Sequence, residues 1–158
     1  MTLLLACTLL AGCAHRATEE RAGIDAYVTP RTRDSEREIL LRALSLIGVP
    51  YRYGGTTPES GFDCSGLVQY VFGSALGLSL PRRSQDMSRV GETVERTALS
   101  PGDLVFFDTL REPYSHVGIY LGEGRFIHAP SSGGRVEIVS LRERYWTRRY
   151  NGARRVTY

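Results

Sequence analysis

Apolar residues recur at helical spacing in two stretches of the chain. The first stretch follows Asp34 and Ser35, either of which can cap a helix, and ends at Gly48-Val49-Pro50. We predict an amphipathic helix here that packs against a core. Its apolar positions are Ile39, Leu40, Ala43, Leu44 and Ile47.

The second helical stretch begins at Cys64. Asp63 stands directly before it, where an N-cap residue is expected. The spacing puts Cys64 on the core-facing stripe, in the first turn of the helix. The apolar residues that follow at this spacing are Leu67, Val68, Val71, Phe72 and Ala75.

The second half of the chain is typical of short strands. A short helical segment is predicted over residues 81–89, and a turn at Pro101-Gly102. Because helices precede strands, the predicted class is α+β, with N-terminal helices packed on a central antiparallel β-sheet. The predicted strands cover residues 103–107, 116–121, 125–129, 136–139 and 154–157.

The first thirteen residues form an apolar run that is shorter than the ~20 residues a membrane-spanning helix needs. The run is typical of a signal peptide, and its end, Leu10-Ala11-Gly12-Cys13, resembles the bacterial lipobox. That resemblance implies cleavage before Cys13 and lipidation of its sulfur, which would anchor the protein to a membrane. The alternative is a buried helix of a cytosolic protein, which the polar stretch 14–33 disfavours.

These features predict three segments: a signal peptide over 1–12, a lipidated Cys13 with a flexible tether over 13–33, and one folded domain over 34–158. A length of 158 residues agrees with a single domain. Ala14 stands where the lipobox resemblance associates Asp with inner-membrane retention. We therefore expect the periplasmic face of the outer membrane.

Charge and cysteine usage narrow the function. Twenty basic and seventeen acidic residues leave a net charge of +3, too weak a field to predict a nucleic-acid partner. After processing, Cys7 leaves with the signal peptide and Cys13 becomes a thioether, so Cys64 is the only free thiol and no internal disulfide can form. A lone thiol in an oxidising compartment is a liability unless it is buried or functional.

Cys64, His116 and His128 together predict nucleophilic catalysis. Free N–H groups at a helix start and a nearby imidazolium both lower a thiol pKa, which predicts a thiolate at neutral pH. Asp63 opposes this, because a neighbouring carboxylate raises the pKa of the thiol. Taken singly, each residue is more typical of a satisfied core position. A Cys-His-His zinc site is the other joint interpretation, and it lacks a fourth ligand and a close-set pair, so we expect no metal and no cofactor.

The hairpin around Gly122-Glu123-Gly124 decides whether the two histidines meet. A loop with an odd number of residues puts them on one face of the sheet. A three-residue loop places His128 opposite Gly118, diagonal to His116, and a turn centred on Gly122 places the histidines opposite each other. A two-residue loop of Glu123-Gly124 would separate them.

Five blocks resemble the NlpC-type cell-wall cysteine peptidases, in the order of that family and over about residues 40–157. The closing segments Tyr145-Trp146 and Arg149–Val156 continue the likeness. The blocks are Pro50-Tyr-Arg-Tyr-Gly-Gly55, Phe62-Asp-Cys-Ser-Gly-Leu-Val68, Pro101-Gly-Asp-Leu-Val-Phe-Phe107, Ser115-His-Val-Gly-Ile-Tyr-Leu-Gly122 and Phe126-Ile-His-Ala129.

The resemblance implies a papain-like fold and hydrolysis of amide bonds in the stem peptides or crosslinks of peptidoglycan. Carried over residue by residue, Cys64 is the nucleophile, His116 the base and His128 the residue that orients it. Tyr51 rather than Tyr53 is implied as an oxyanion donor, and Asp63 and Ser65 as residues that contact substrate.

The expected partner is peptidoglycan, with the protein a monomer. The bond that is cut stays open between D-alanyl and γ-D-glutamyl linkages to diaminopimelate. A non-catalytic wall-binding lipoprotein is one alternative function. A related amidase or acyltransferase that uses the same thiol is the other.

Overall fold

The two longest helices precede the six-stranded antiparallel sheet along the chain, as predicted. The structure is a computed structural model that describes residues 30–131 and 133–158, with side chains from residue 34 onward. The predicted signal peptide, Cys13 and most of the predicted tether lie outside the described residues. Residues 35–158 form one compact unit.

Four α-helices and one 3₁₀ helix are assigned in the described part of the chain. They are α1 (Pro30–Leu44), α2 (Cys64–Leu76), α3 (Ser84–Met87), α4 (Arg144–Thr147) and the 3₁₀ turn Arg96–Ala98. The strands are β1 (Thr56–Thr57), β2 (Gly61–Phe62), β3 (Glu92–Val94), β4 (Leu104–Phe107), β5 (His116–Gly122), β6 (Arg125–His128), β7 (Glu137–Ser140) and β8 (Tyr150–Arg155).

Six of the strands form one antiparallel sheet in the order β3-β8-β4-β5-β6-β7, and β1 and β2 form a separate hairpin. Side chains alternate between the two faces of the sheet. One face packs on α2 through residues such as Phe106, Val117 and Ile119. The other face carries Phe107 and Phe126, which Trp146 of α4 covers. The predicted α+β class is confirmed.

The prediction for α1 was partly wrong. The helix begins at Pro30 rather than at residue 34. Proline suits the first position of a helix, because an N–H at that position would have no acceptor within the helix. Ile39 and Ala43 are fully buried, as predicted, but Leu44 and Ile47 are 41% and 50% exposed. The helix ends at Leu44, so the following turn presents Leu46 to the core instead.

Two strands on one side of the sheet also differ from the prediction. Strand β8 runs over Tyr150–Arg155 rather than 154–157, and β3 was not predicted. Both pair along the same side of the sheet, where Val94 lies opposite Ala153. A three-residue strand has too short a pattern to be detected in sequence.

Within the part of the chain that the structure describes, no helix combines the length and the apolar character needed to cross a membrane.

Helix α2 is fixed to the preceding glycine-rich loop by backbone contact. A Cβ added to Gly66 would lie 2.0 Å from the carbonyl oxygen of Gly55, and one added to Gly55 would lie 2.2 Å from that of Gly61. Real Cβ atoms do not approach backbone this closely, so the loop and the first turn of α2 meet only where side chains are absent.

Alanine at Gly66 should therefore destabilise the fold. We expect Gly66→Ala to lower the free energy of unfolding by about 1–3 kcal/mol, because a rigid backbone must shift to admit the methyl group. Gly73→Ala is the matched control in the same helix, since its Cβ would meet only the Leu78 carbonyl at 3.9 Å. It should stabilise the protein by ~0.5–1 kcal/mol, because alanine is the better helix former. Urea unfolding measures both, and equal effects would contradict the packing described.

Candidate active site

Asp63 caps the helix that begins at Cys64, as predicted. Its backbone is extended, with φ −92° and ψ 176°, and its Oδ1 accepts a hydrogen bond of 2.7 Å from the Gly66 N–H. At the other end Gly77 adopts a left-handed conformation, with φ 67°. The cap satisfies the Gly66 N–H, and the Ser65 N–H of the same turn lowers the pKa of the Cys64 thiol.

The Asp63 carboxylate also joins three segments of the chain. Its Oδ2 accepts from the Gly54 N–H at 3.0 Å, and Arg82 donates to both carboxylate oxygens, at 3.0 and 2.5 Å. The same guanidinium donates to the Ser65 hydroxyl at 2.7 Å. Both Asp63 oxygens are thus engaged within the protein, so the structure gives Asp63 a positioning role.

Arg82 was not predicted as part of the site. Its segment lies 19 residues from Asp63 in sequence, and neither its charge nor the preceding Pro81 distinguishes it from the other arginines. No local periodicity could have found it, because the contact is made by the fold.

Tyr51 lies at the site and Tyr53 does not. Tyr51 packs against the core beside Cys64, and its backbone N–H donates to the Gly134 carbonyl at 2.9 Å. Tyr53 is 89% exposed. Burial raises the pKa of Tyr51, and the charges of Cys64 and Asp63 raise it further, so its hydroxyl keeps its proton at neutral pH.

The turn between β5 and β6 has two residues, Glu123-Gly124, and the histidines still share a face. Gly122 pairs with Arg125, but Tyr120 pairs with Phe126 and Ile119 with Ile127. A β-bulge at Leu121 therefore supplies the odd residue that the loop lacks.

The prediction that a two-residue loop would separate the histidines was wrong for this reason. The positive φ angles of Glu123 and Gly124, 55° and 74°, suit a tight hairpin turn. Continued by one residue, the register sets His128 opposite Gly118, diagonal to His116, as one predicted arrangement required.

The two imidazoles are in direct contact. His116 Nε2 lies 2.9 Å from His128 Nδ1, with the rings nearly perpendicular at 83°. His116 is 7% exposed and His128 is fully buried. Because His116 uses Nε2 for this contact, its Nδ1 is the nitrogen left for a proton donor such as a thiol.

Trp146 encloses the histidine pair and was not predicted as a site residue. Its ring stacks on His116 at 5.6 Å and meets His128 edge-on at 4.8 Å. It is the only tryptophan of the chain, which is a weak signal for its role.

Burial keeps both histidines neutral. It lowers the pKa of His116 to about 4. It lowers the pKa of His128 to about 3, with a further contribution from the charge of His116. At neutral pH both rings are therefore uncharged, and His116 can act as a base.

Burial opposes the thiolate predicted for Cys64. Burial is the largest influence and raises the pKa of the Cys64 thiol, and Asp63 raises it further. Hydrogen bonds from the backbone N–H groups of Val117 and Ser65 lower the pKa, as does Arg82, but burial dominates. No imidazolium opposes burial here, because His116 is neutral. The resting pair is a thiol and an imidazole.

The influence of Val117 on the thiol locates the Cys64 sulfur near the first residues of β5. Val117 directly follows His116 in β5, and its N–H bonds to the sulfur at the end of the sheet where β6 stops at His128. The start of α2 thus lies against the first residues of β5, the strand in which His116 directly precedes Val117.

Among the described residues, no group of three or more His, Cys, Asp or Glu side chains is placed to hold a metal ion.

A cysteine that begins a helix packed on an antiparallel sheet, beside a buried histidine pair, is the papain-like arrangement of thiol hydrolases. The model of the NlpC/P60 family matches residues 48–155 of the chain. The chain belongs to the NlpC/P60 family, and the predicted family and fold are confirmed.

Curated relatives agree with this assignment. Murein DD-endopeptidase MepH of Escherichia coli K12 is 46% identical over 118 residues, which are 73% of this chain and 44% of MepH. Gamma-DL-glutamyl hydrolase of Bacillus subtilis 168 is 50% identical over 74% of this chain and 28% of its own length. Murein DD-endopeptidase MepS/Murein LD-carboxypeptidase of E. coli K12 is 44% identical over 80% of this chain and 65% of its own length. This chain therefore spans less than two thirds of each relative.

A solved structure shows the same fold. A protein described as similar to lipoprotein, NLP/P60 family, from Staphylococcus aureus subsp. aureus Mu50 superposes with a TM-score of 0.71 at 38% identity. The match covers 78% of this chain and 42% of that one.

The resting thiol can be distinguished from a thiolate by its alkylation rate. Because the pKa of Cys64 lies above the ordinary thiol value of ~8.5, we expect slow reaction with iodoacetamide at neutral pH and a rise in rate only above that value. Mass spectrometry of the Cys64 peptide measures the rate separately from Cys7 and Cys13. A rate that is already maximal at pH 6 would indicate a thiolate–imidazolium pair and contradict the neutral resting state.

Proposed function

We propose that this protein is a cysteine peptidase that hydrolyses amide bonds in the stem peptides or crosslinks of peptidoglycan. The proposal depends mainly on one observation: Cys64 begins the helix that packs on β5, where the Val117 N–H next to His116 lowers the pKa of its thiol, and the His116 ring contacts His128 at 2.9 Å. Membership of the NlpC/P60 family supports the substrate class, since relatives at 44–46% identity are named murein endopeptidases.

In the proposed reaction the Cys64 thiol and the His116 imidazole are both neutral at rest, and the thiol proton moves to His116 during the attack on the substrate. His116 Nδ1 takes the thiol proton as the Cys64 sulfur adds to the amide carbonyl. The protonated His116 then gives this proton to the departing amine, and a thioester remains on Cys64. Water hydrolyses the thioester with His116 as base, which restores the thiol. His128 holds the His116 ring in orientation throughout.

Two donors are proposed for the oxyanion that forms during attack. The Cys64 N–H lies in the first turn of α2, where it has no acceptor within the helix. The Tyr51 hydroxyl keeps its proton and lies close enough to Cys64 for the charge of Cys64 to raise the pKa of Tyr51. Donors aimed at developing charge in a dry site contribute strongly to the rate.

The bond that is cut is the finer part of the proposal. The name of the MepH relative specifies a DD-endopeptidase, and that of the B. subtilis relative a γ-DL-glutamyl hydrolase. We propose a murein DD-endopeptidase, because both E. coli relatives carry that name. The γ-D-glutamyl bond is the alternative outcome of the test below.

We also propose that Cys13 is lipidated and anchors the protein to the periplasmic face of the outer membrane. The support is the sequence alone: an apolar run that ends in Leu10-Ala11-Gly12-Cys13, followed by Ala14. Metabolic labelling with an alkyne fatty acid should mark the parent and not Cys13→Ala. Equal labelling of both would reject the anchor.

Digestion of purified peptidoglycan sacculi tests the activity. The parent protein should release muropeptides, and Cys64→Ser should release none while keeping the far-UV spectrum and melting temperature of the parent. Mass spectrometry of the products identifies the bond. Binding without release by the parent would reject catalysis, and cleavage between glycan and stem peptide would indicate an amidase instead.

Substitution of Tyr51 and of Tyr53 tests whether the Tyr51 hydroxyl donates to the oxyanion. Tyr51→Phe should lower kcat by about 100-fold, because one donor to the oxyanion is lost and the ring is kept. Tyr53→Phe is the matched control, and it should leave kcat unchanged because Tyr53 is 89% exposed. Release of soluble muropeptides under saturating sacculi gives both values. Equal rates for the two variants would remove Tyr51 from the mechanism.

A further inference from the structure

One fully buried nitrogen of the histidine pair, His128 Nε2, has no hydrogen bond among the described residues. The His128 side chain is only 1% exposed. A buried polar nitrogen without a partner is costly, and such groups in native proteins usually have a structural or functional explanation.

The contact between the rings, together with the proposed role of His116, determines whether His128 Nε2 carries a proton. For His116 to accept the thiol proton, its Nδ1 must carry a lone pair, so its own proton sits on Nε2 and is donated to His128 Nδ1. His128 Nδ1 is then an acceptor, which puts the proton of His128 on Nε2. The unpartnered group is therefore an N–H donor that faces away from His116.

A carboxylate lies opposite this donor. Glu137 is the cross-strand neighbour of His128 in the β6–β7 register, and its Oε1 is 3.7 Å from His128 Nε2. That separation is too long for a hydrogen bond, but the carboxylate ends a flexible side chain that is 55% exposed, on the edge strand of the sheet. A shift of less than ~1 Å would bring the two atoms to bonding distance.

The surroundings of His128 offer it no other charged group in the contacts described. Phe126 and Trp146 pack on its ring, and His116 occupies its other nitrogen. His116 on β5 and Glu137 on β7 are thus the two titratable groups that face it from the neighbouring strands.

We propose that Glu137 is a positioning residue of the site, which accepts a hydrogen bond from His128 Nε2 and thereby fixes the tautomers of both histidines. The expected tautomers and their kinetic consequence rest on the proposed function. When the thiol proton moves to His116 Nδ1, the Nε2 proton of His116 stays in place, His128 stays neutral, and no proton reaches Glu137. The carboxylate acts by keeping His128 Nδ1 an acceptor toward the imidazolium.

The tautomers can be observed directly. In protein with ¹⁵N-labelled histidine, two-bond ¹H–¹⁵N correlations distinguish an Nε2–H ring from an Nδ1–H ring. We expect His128 of the parent to be the Nε2–H tautomer at pH 7. Glu137→Gln should retain it, because the amide oxygen still accepts, and Glu137→Ala should convert a measurable fraction to the Nδ1–H form. An Nδ1–H ring in the parent, or no change in Glu137→Ala, would overturn the proposal.

Kinetics give an independent measurement. Glu137→Ala should lower kcat on sacculi roughly five- to tenfold with little change in KM, and Glu137→Gln should lose less. Glu92→Gln is the matched control, since it removes an exposed glutamate from β3, the opposite edge strand, and it should match the parent. If Glu137→Ala unfolds, the Gln variant and the parent spectrum still decide the tautomer.

The two measurements separate the two proposals. If the parent digests nothing but His128 shows the expected tautomer and its response to Glu137→Ala, the proposed function fails and the role of Glu137 stands. If the parent digests sacculi and Glu137→Ala matches Glu92→Gln in rate and in spectrum, the role of Glu137 fails and the function stands.

Discussion

The carboxylate of Asp63 holds the three segments of the site together. It caps α2 through the Gly66 N–H, receives the Gly54 N–H of the glycine-rich loop, and binds the guanidinium of Arg82. These bonds can form together only because Gly55 and Gly66 allow backbone to meet backbone. One side chain thus sets the position of Cys64 and of the loop that carries Tyr51.

The same arrangement decides how the thiol can react. The burial of Cys64 and the neighbouring Asp63 carboxylate both disfavour a thiolate. The burial of His116 and His128 among aromatic rings disfavours an imidazolium. Two buried groups that are neutral at rest exchange a proton only when charge develops on the substrate. Preorganised donors at the helix start matter more in such a site than a stored ion pair, because they act only on that developing charge.

Much of this site could be predicted from sequence because its signals are local. The apolar spacing after Cys64 predicted α2 and its face, and Asp63 was expected as its cap. The short strands carrying His116 and His128 were found by composition and turns. Where the site depends on one residue of register, sequence was insufficient: the bulge at Leu121 shifts the pairing without leaving a recognisable pattern.

The residues that sequence missed act across the fold. Arg82, Trp146 and Glu137 reach the site from segments that are distant in the chain, and each belongs to an element of four residues or fewer or to a loop. Their side chains are ordinary in composition, and only the tertiary arrangement gives them partners. Leu44 and Ile47 are the opposite case: their spacing predicted burial, but both are exposed because α1 ends earlier than its apolar spacing suggests.

Trapping of the covalent intermediate shows whether Cys64 is the nucleophile. The parent protein would be mixed with a purified crosslinked muropeptide, quenched in acid within the first turnover, digested and mapped by mass spectrometry. We expect an acyl adduct on the Cys64 peptide, with the mass of the stem-peptide fragment that keeps the attacked carbonyl. Product release with no adduct on Cys64, together with continued turnover by Cys64→Ser, would contradict it.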